Sequence, residues 1–134
     1  MGGRDRYFGC KGATMTTLSS TKRAVEDWIL DDPDEITADD LRALLALAES
    51  GDEDAAAELA DSFAGSLTFG TAGLRGKMGA GPNRMNEAVV IRAAAGLTKF
   101  LHNELGDGFT VVIGRDARYG SKEFAYDTAA VVEA

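Results

Sequence analysis

A glycine-dense stretch from Phe69 to Asn86 limits what this chain can fold into more than any other part of it. It contains five glycines and three cations. Glycine weakens helix and strand interiors, but it permits positive φ and a close approach of the backbone to a ligand. The stretch therefore predicts a loop. An extended run over residues 67–71 leads into this loop, and a helix follows it after Asn86.

The cations of this glycine loop allow two interpretations. Arg75, Lys77 and Arg84 lie among backbone N–H groups, and such donors together form a natural site for an anion. Alternatively, the loop is a structural turn whose cations are solvated. The residues themselves leave both interpretations open.

The chain before the loop predicts a tail followed by a helical segment. Residues 1–21 mix Gly, Ser, Thr and scattered cations without apolar periodicity, which predicts no fixed structure, and Met15 is an alternative start. Residues 22–65 show helical periodicity. The predicted helices cover residues 22–30, 37–51 and 52–63.

Each of these helices has an apolar face and a polar first turn. A capping box at residues 37–40, with Asp in place of Glu, and Asp52 as an N-cap begin the second and third helices. The many carboxylates fall mainly in first turns and on outward faces, which favours a solvated surface over a metal site. The residues predicted to point inward are Val25, Trp28, Ile29, Leu41, Leu44, Leu45, Ala48, Ala56, Leu59, Ala60 and Phe63.

The chain after the loop alternates helix and strand. Asn86 is the predicted N-cap of a long helix that ends near Leu105, with a wide apolar face for packing on a sheet. Residues 109–114 form an apolar run typical of a buried strand. Ser121 is the predicted N-cap of a last helix that reaches Val132. This order indicates an α/β fold.

A second loop, Gly114 to Gly120, follows the predicted strand. Open α/β sheets bind ligands at the carboxyl ends of their strands, so Arg115 and Arg118 are a second candidate anion site. The other interpretation is an Arg–Asp ion pair through Asp116 that fixes the loop.

Charge and composition exclude several classes of function. The net charge is −8, and residues 24–65 carry fourteen anions against one cation, which argues against nucleic-acid binding. No apolar run approaches the ~20 residues of a membrane span. The single cysteine, Cys10, cannot form an internal disulfide, which fits a reducing compartment, and we expect a cytoplasmic protein. His102 has no second ligand nearby, which favours a capping or surface role over metal binding.

The predicted strands are too few for a complete α/β domain. A two-stranded sheet is marginally stable, and the helix over 121–132 has no terminating signal. We therefore expect this chain to be an N-terminal fragment of a longer protein, with the apolar faces of the helices after Asn86 and Ser121 exposed.

Two common phosphate motifs do not match the glycine loop. A Walker A loop fails because Thr71 stands in place of the first glycine and Met78 in place of the hydroxyl residue. A dinucleotide fingerprint fails because Arg84 stands in place of the last glycine.

The two loops together carry a family resemblance. Phe69-Gly70-Thr71-Ala72-Gly73-Leu74-Arg75-Gly76, the run from Met78 to Asn86, and Gly114-Arg115-Asp116-Ala117-Arg118 with Ser121 resemble the α-D-phosphohexomutases. The resemblance is closest to the branch of phosphoglucomutases, phosphomannomutases and phosphopentomutases, and it covers residues 22–134. It implies an incomplete three-layer α/β domain, the start of domain I, over residues 66–134.

The resemblance also implies a reaction. In that family a phosphoserine passes its phosphoryl group to a phosphosugar through a sugar bisphosphate, which also serves as activator, and Mg²⁺ assists. Arg75 matches the family arginine that approaches the phosphoserine and the reacting phosphate. The resemblance implies that Thr71, Gly73 and Gly76 shape the same wall of the cleft in which the phosphoryl group is transferred. Arg115 and Arg118 belong to the second phosphate-facing motif.

The departures from the family pattern limit what this chain does alone. The serine motif T-x-S-H-N-P and the metal loop D-G-D-x-D-R are absent from this sequence. The resemblance implies that the nucleophile belongs to the rest of domain I, soon downstream of residue 134, and that the Mg²⁺ ligands belong to the rest of a parent chain. The alternative function is a non-catalytic truncated α/β module that binds phosphate or a protein partner.

Overall fold

The computed structural model describes the backbone of residues 11–134 and the side chains from Ser19 onward. The predictions for Cys10 and for residues 1–10 of the tail lie outside the described residues. The elements are α1 (Lys11–Asp31), α2 (Glu35–Glu49), α3 (Glu53–Ser62), β1 (Phe69–Gly70), β2 (Gly73–Leu74), α4 (Glu87–Leu105) and α5 (Ser121–Glu133). No helix in this part of the chain is both long and apolar enough to cross a membrane.

The first three helices pack around one apolar core. Val25 of α1, Leu41 of α2 and Leu59 of α3 are almost completely buried, as the apolar periodicity predicts. Burying a side chain of this size stabilises the folded state by roughly 1.5–3 kcal/mol. Ala60 is exposed and Ala55 is buried in its place, so the predicted face of α3 is rotated by part of a turn.

The beginnings of α1 and α2 differ from the predictions. Helix α1 begins at Lys11, so the prediction that residues 11–21 have no fixed structure is wrong. Extending an existing helix adds a hydrogen bond for each ordered residue and needs no new nucleus, which permits a long first helix despite its weak pattern. Helix α2 begins after Asp34, whose side chain accepts a hydrogen bond from the Ile36 N–H at 2.9 Å, and not at the predicted capping box.

Trp28 joins the helical segment to the second half of the chain. Its ring packs edge-on against Phe63, with centroids 6.2 Å apart, and the Arg92 guanidinium of α4 lies 4.1 Å above it. Arg92 also pairs with Asp31 at 3.5 Å. A cation over a tryptophan face stabilises such a contact by about 0.5–2 kcal/mol.

The second half is a partial α/β unit that is mostly helical. Helix α4 packs on α5, and β1 and β2 form the one sheet of the described residues, a two-stranded antiparallel sheet. The predicted strand over 109–114 has no regular secondary structure, and its Val112 side chain is 92% exposed. That prediction is wrong because no described segment offers the run a neighbouring strand for its backbone hydrogen bonds.

The apolar face of α4 is only partly covered, as expected for a short chain of this pattern. Ala88 and Ala94 are buried, but Leu97 and Phe100 are 51% and 57% exposed. The large apolar residues on this side therefore remain in contact with water.

Candidate functional site

The hairpin of β1 and β2 begins the glycine loop. Phe69 pairs with Leu74 and Gly70 with Gly73, and Thr71 lies exposed in the turn between them. Gly73 has a φ of +94°, a conformation that side chains with a Cβ atom rarely adopt. Gly76 follows the hairpin, and a Cβ atom there would lie 2.7 Å from Leu67 Cδ2. The positive φ of Gly73 therefore favours glycine in the turn, and the absence of a Cβ atom at Gly76 lets the Leu67 side chain lie against the backbone.

Asn86 closes the other end of the loop. Its Oδ1 accepts a hydrogen bond from the Val89 N–H at 2.9 Å, which confirms it as the N-cap of α4. Its Nδ2 donates to the carbonyl oxygens of Gly79 and Gly81, both at 2.8 Å. One side chain, 3% exposed, therefore fixes both the loop and the start of the helix.

The middle of the loop is attached to the end of α3. The backbone N–H of Asn83 donates to the carbonyl oxygen of Ser62 at 3.0 Å, and its side chain donates to that of Asp61 at 2.9 Å. Gly81 has a φ of +102°, and a Cβ atom there would lie 3.0 Å from the Ser62 oxygen. The backbone contact leaves room for glycine only.

The three loop cations have different environments. Arg84, with its side chain 3% exposed, donates from Nη2 to Glu58 Oε1 at 2.9 Å and also pairs with Asp61. Lys77 Nζ donates to both carboxylate oxygens of Glu58, at 3.0 and 3.1 Å. Arg75 is exposed and makes no ion pair or hydrogen bond with any residue that the structure describes.

Glu58 and Asp61 therefore bind two of the loop cations, a role that the sequence analysis did not predict. Both side chains keep the exposure predicted for a solvated acidic face, 40% for Glu58 and 67% for Asp61, but they also pair with loop cations, which was not predicted. Their spacing of three residues places both on one face of α3. That spacing, together with the excess of cations in the loop, was the available signal.

The cations also shift the ionisation of Glu58. The hydrogen bond from Lys77, followed by that from Arg84, lowers the pKa of Glu58 below its ordinary value of 4.5. Because these bonds form only in the folded chain, the stability they provide is present above pH 4.5. It is lost as the pH falls through the lowered pKa of the folded state.

Acid is accordingly expected to weaken the folded chain through Glu58. The free energy of unfolding, measured in urea, should fall between pH 6 and pH 3 more steeply for the unaltered chain than for Glu58→Gln. Carboxylates common to both chains, including Asp116 with its lowered pKa, cancel in this comparison. Identical pH profiles would show that the Glu58 contacts contribute nothing to stability.

The second loop contains an ion pair of its own. Arg118 Nε donates to Asp116 Oδ2 at 2.8 Å, and the Arg118 N–H donates to Oδ1 at 3.0 Å. These contacts lower the pKa of Asp116. Arg115 is exposed and has no ion pair among the described residues. The Arg–Asp interpretation therefore holds for Arg118.

Ser121 has a different role from the predicted N-cap. Gly120, with a φ of +78°, occupies the N-cap position of α5 and offers no side chain. The Ser121 hydroxyl instead accepts a hydrogen bond from the Asp116 N–H at 3.1 Å, within the second loop. The prediction is wrong because a left-handed glycine ends this turn and moves the helix start by one residue.

The two loops approach each other through apolar atoms. A Cβ atom on Gly120 would lie 3.6 Å from Met78 Cε of the glycine loop and 3.3 Å from Phe124 Cζ. The structure thus brings the two loops together at Met78 and Gly120.

The described residues do not fit a Mg²⁺ site. They contain no group of three or more His, Cys, Asp or Glu side chains able to hold a metal ion. His102, for which metal binding was judged the less favoured role, pairs through Nδ1 with Asp107 Oδ1 at 3.1 Å. No metal ligand is therefore assigned among the residues that the structure describes.

Comparison with known proteins places these loops in a family. A phosphoribomutase of Saccharomyces cerevisiae is 37% identical over 120 residues, covering 90% of this chain and 18% of that protein. A phosphoglucomutase of Staphylococcus aureus is 43% identical over 75 residues, covering 56% of this chain and 13% of its own length. No solved structure matches.

The chain thus spans less than a fifth of the length of these relatives. Residues 66–134 match the family description "Phosphoglucomutase/phosphomannomutase, alpha/beta/alpha domain I". That match begins just before the hairpin and includes both loops. The chain therefore belongs to the phosphoglucomutase/phosphomannomutase family, and residues 66–134 are part of its domain I.

Proposed function

We propose that this chain provides a phosphate-facing wall of a phosphomutase that interconverts sugar 1-phosphates with 6-phosphates or 5-phosphates. The family match and the names of the relatives, phosphoribomutase and phosphoglucomutase, support this class of reaction. The substrate is a phosphosugar. The rest of the parent protein supplies the nucleophile, from the remainder of domain I, and the metal ligands.

The proposal rests on the exposure of Arg75 and on the absence of a carboxylate partner for it among the described residues. Two of the three loop cations are neutralised by carboxylates of α3, whereas Arg75 is exposed beside a hairpin fixed by glycines. A guanidinium that has no carboxylate partner keeps its donors available for a phosphate, which it binds in a bidentate manner. Arg75 is therefore the cation of this loop that meets the ligand.

In the proposed reaction the P–O bond to a serine outside this chain breaks as a sugar hydroxyl forms a new P–O bond. The hydroxyl proton ends on the released serine, so the overall charge is conserved. Arg75 stabilises the negative charge on the oxygens of the transferring phosphoryl group. Thr71, Gly73 and Gly76 hold the hairpin backbone at that wall, and Arg115 lines the second loop. Mg²⁺, when bound by the other domains, neutralises further phosphoryl charge.

Titration of the chain with phosphosugars tests the proposal. Glucose 1-phosphate, ribose 5-phosphate and inorganic phosphate should each shift the amide NMR signals of residues 70–76 in a saturable manner. Unphosphorylated glucose should leave these signals unchanged, because it lacks the anion that Arg75 binds. Shifts confined to other basic residues, or no shifts at all, would contradict a phosphate-facing wall.

A further inference from the structure

Glu58 lies at the centre of the contacts between the glycine loop and α3. Its carboxylate accepts hydrogen bonds from Lys77 Nζ at 3.0 and 3.1 Å and from Arg84 Nη2 at 2.9 Å, with Arg84 Nε at 3.3 Å. The same side chain therefore engages two of the three loop cations. Glu58 precedes the family match and belongs to the helical segment.

We infer that Glu58 is a positioning residue that selects which loop cation meets phosphate. By pairing with Lys77, while Arg84 is also held by Asp61, Glu58 leaves Arg75 as the loop cation without a carboxylate partner among the described residues. This inference rests on the proposed function. It adds a role for the helical segment, which otherwise serves only to pack the start of the domain.

The two cations are held with unequal strength. Arg84 is 3% exposed and has a second carboxylate partner in Asp61, so it stays on α3 without Glu58. Lys77 is 67% exposed and pairs only with Glu58 among the described residues. An exposed ion pair of this kind is worth about 0–1 kcal/mol, so loss of Glu58 releases Lys77 rather than Arg84.

A released Lys77 competes with Arg75 for the same anion. It lies two residues from Arg75, and a free ammonium attracts phosphate as a point charge. The competition makes phosphate binding less dependent on Arg75 without requiring any change in the hairpin. Glu58 thus determines which loop cation binds phosphate, in addition to attaching the glycine loop to α3.

A double-mutant cycle on the chain, with inorganic phosphate as the ligand, tests this role. Arg75→Met should raise the Kd for phosphate about tenfold in the unaltered chain and less than about threefold in the Glu58→Gln background. Adding Lys77→Met to Glu58→Gln should restore the tenfold effect. A merely structural role of Glu58 would not produce this restoration.

Glu49→Gln is the matched control. It removes the same charge and an exposed ion pair, that of Glu49 with Lys22, but it does not touch the loop. In that background Arg75→Met should keep its full effect. If Glu58→Gln does not fold, the single variant Lys77→Met still tests the inference. It should change the Kd less than about twofold, because the Lys77 ammonium is engaged by both carboxylate oxygens of Glu58.

The outcomes separate this inference from the proposed function. An effect of Arg75→Met that stays tenfold with Glu58→Gln, or a Lys77→Met variant as weak as Arg75→Met, would overturn the inference alone. Absence of Arg75-dependent phosphate binding in the unaltered chain would overturn the proposed function and the inference with it.

Discussion

Replacing Arg75 with alanine is expected to lower the proposed phosphomutase turnover of the full-length protein by about 10²–10³-fold, the usual effect of removing one preorganised donor from a transition state. Arg75 is exposed and forms no contact within the described residues that would stabilise the fold. Its removal should therefore change the free energy of unfolding by less than about 0.5 kcal/mol. A large loss of turnover with little change in the free energy of unfolding is the result expected for a residue that contacts the ligand.

Steady-state turnover and thermal unfolding of the full-length protein measure the two effects. Arg75→Lys should recover part of the turnover, because it restores the charge without the bidentate geometry. Arg42→Ala is the control: Arg42 is also an exposed arginine, but it pairs with Asp39 and Glu35 of its own helix. Turnover of Arg75→Ala equal to that of Arg42→Ala would remove Arg75 from the mechanism.

Several parts of the fold that depend on neighbouring residues were predictable from the sequence, although the predicted caps at residues 37–40 and at Ser121 were not correct. The caps at Asp52 and Asn86 occur as predicted, because a cap requires only a side-chain oxygen and the N–H groups of the next turn. The buried positions Val25, Leu41 and Leu59 also follow from helical periodicity. In each case the deciding interaction spans a few residues or one helix face.

The parts that depend on distant residues were not predictable in this way. The ion pair of Arg84 with Glu58 joins positions 26 residues apart, and no local pattern identifies its partner. Residues 109–114 carry a strand composition, yet strand formation requires a neighbour that the described residues do not provide. The position of Arg75 as the unpaired loop cation therefore emerges only from the packing of the loop on α3.

Asn86→Ala is expected to destabilise the chain by about 3 kcal/mol. Loss of the bond to the Val89 N–H removes the N-cap of α4, which costs about 1 kcal/mol. The Gly79 carbonyl oxygen also loses its Asn86 donor, and this acceptor is partly buried, so its cost should approach the range of about 1–3 kcal/mol that a buried unpaired acceptor carries. The Gly81 carbonyl oxygen loses one bond but keeps the Arg84 N–H at 3.3 Å, so its contribution is smaller.

Urea unfolding of three variants separates the loop contribution from the cap. Asp52→Ala removes the cap of α3 alone, so it should cost only about 1 kcal/mol. Asn86→Ser keeps an oxygen for the cap but cannot donate to both glycine carbonyls, and its cost should fall between those of the other two. If Asn86→Ala costs no more than Asp52→Ala, Asn86 is a helix cap only. A larger cost would instead show that the bonds from Asn86 to Gly79 and Gly81 tie the glycine loop to the start of α4, beyond the capping of the helix.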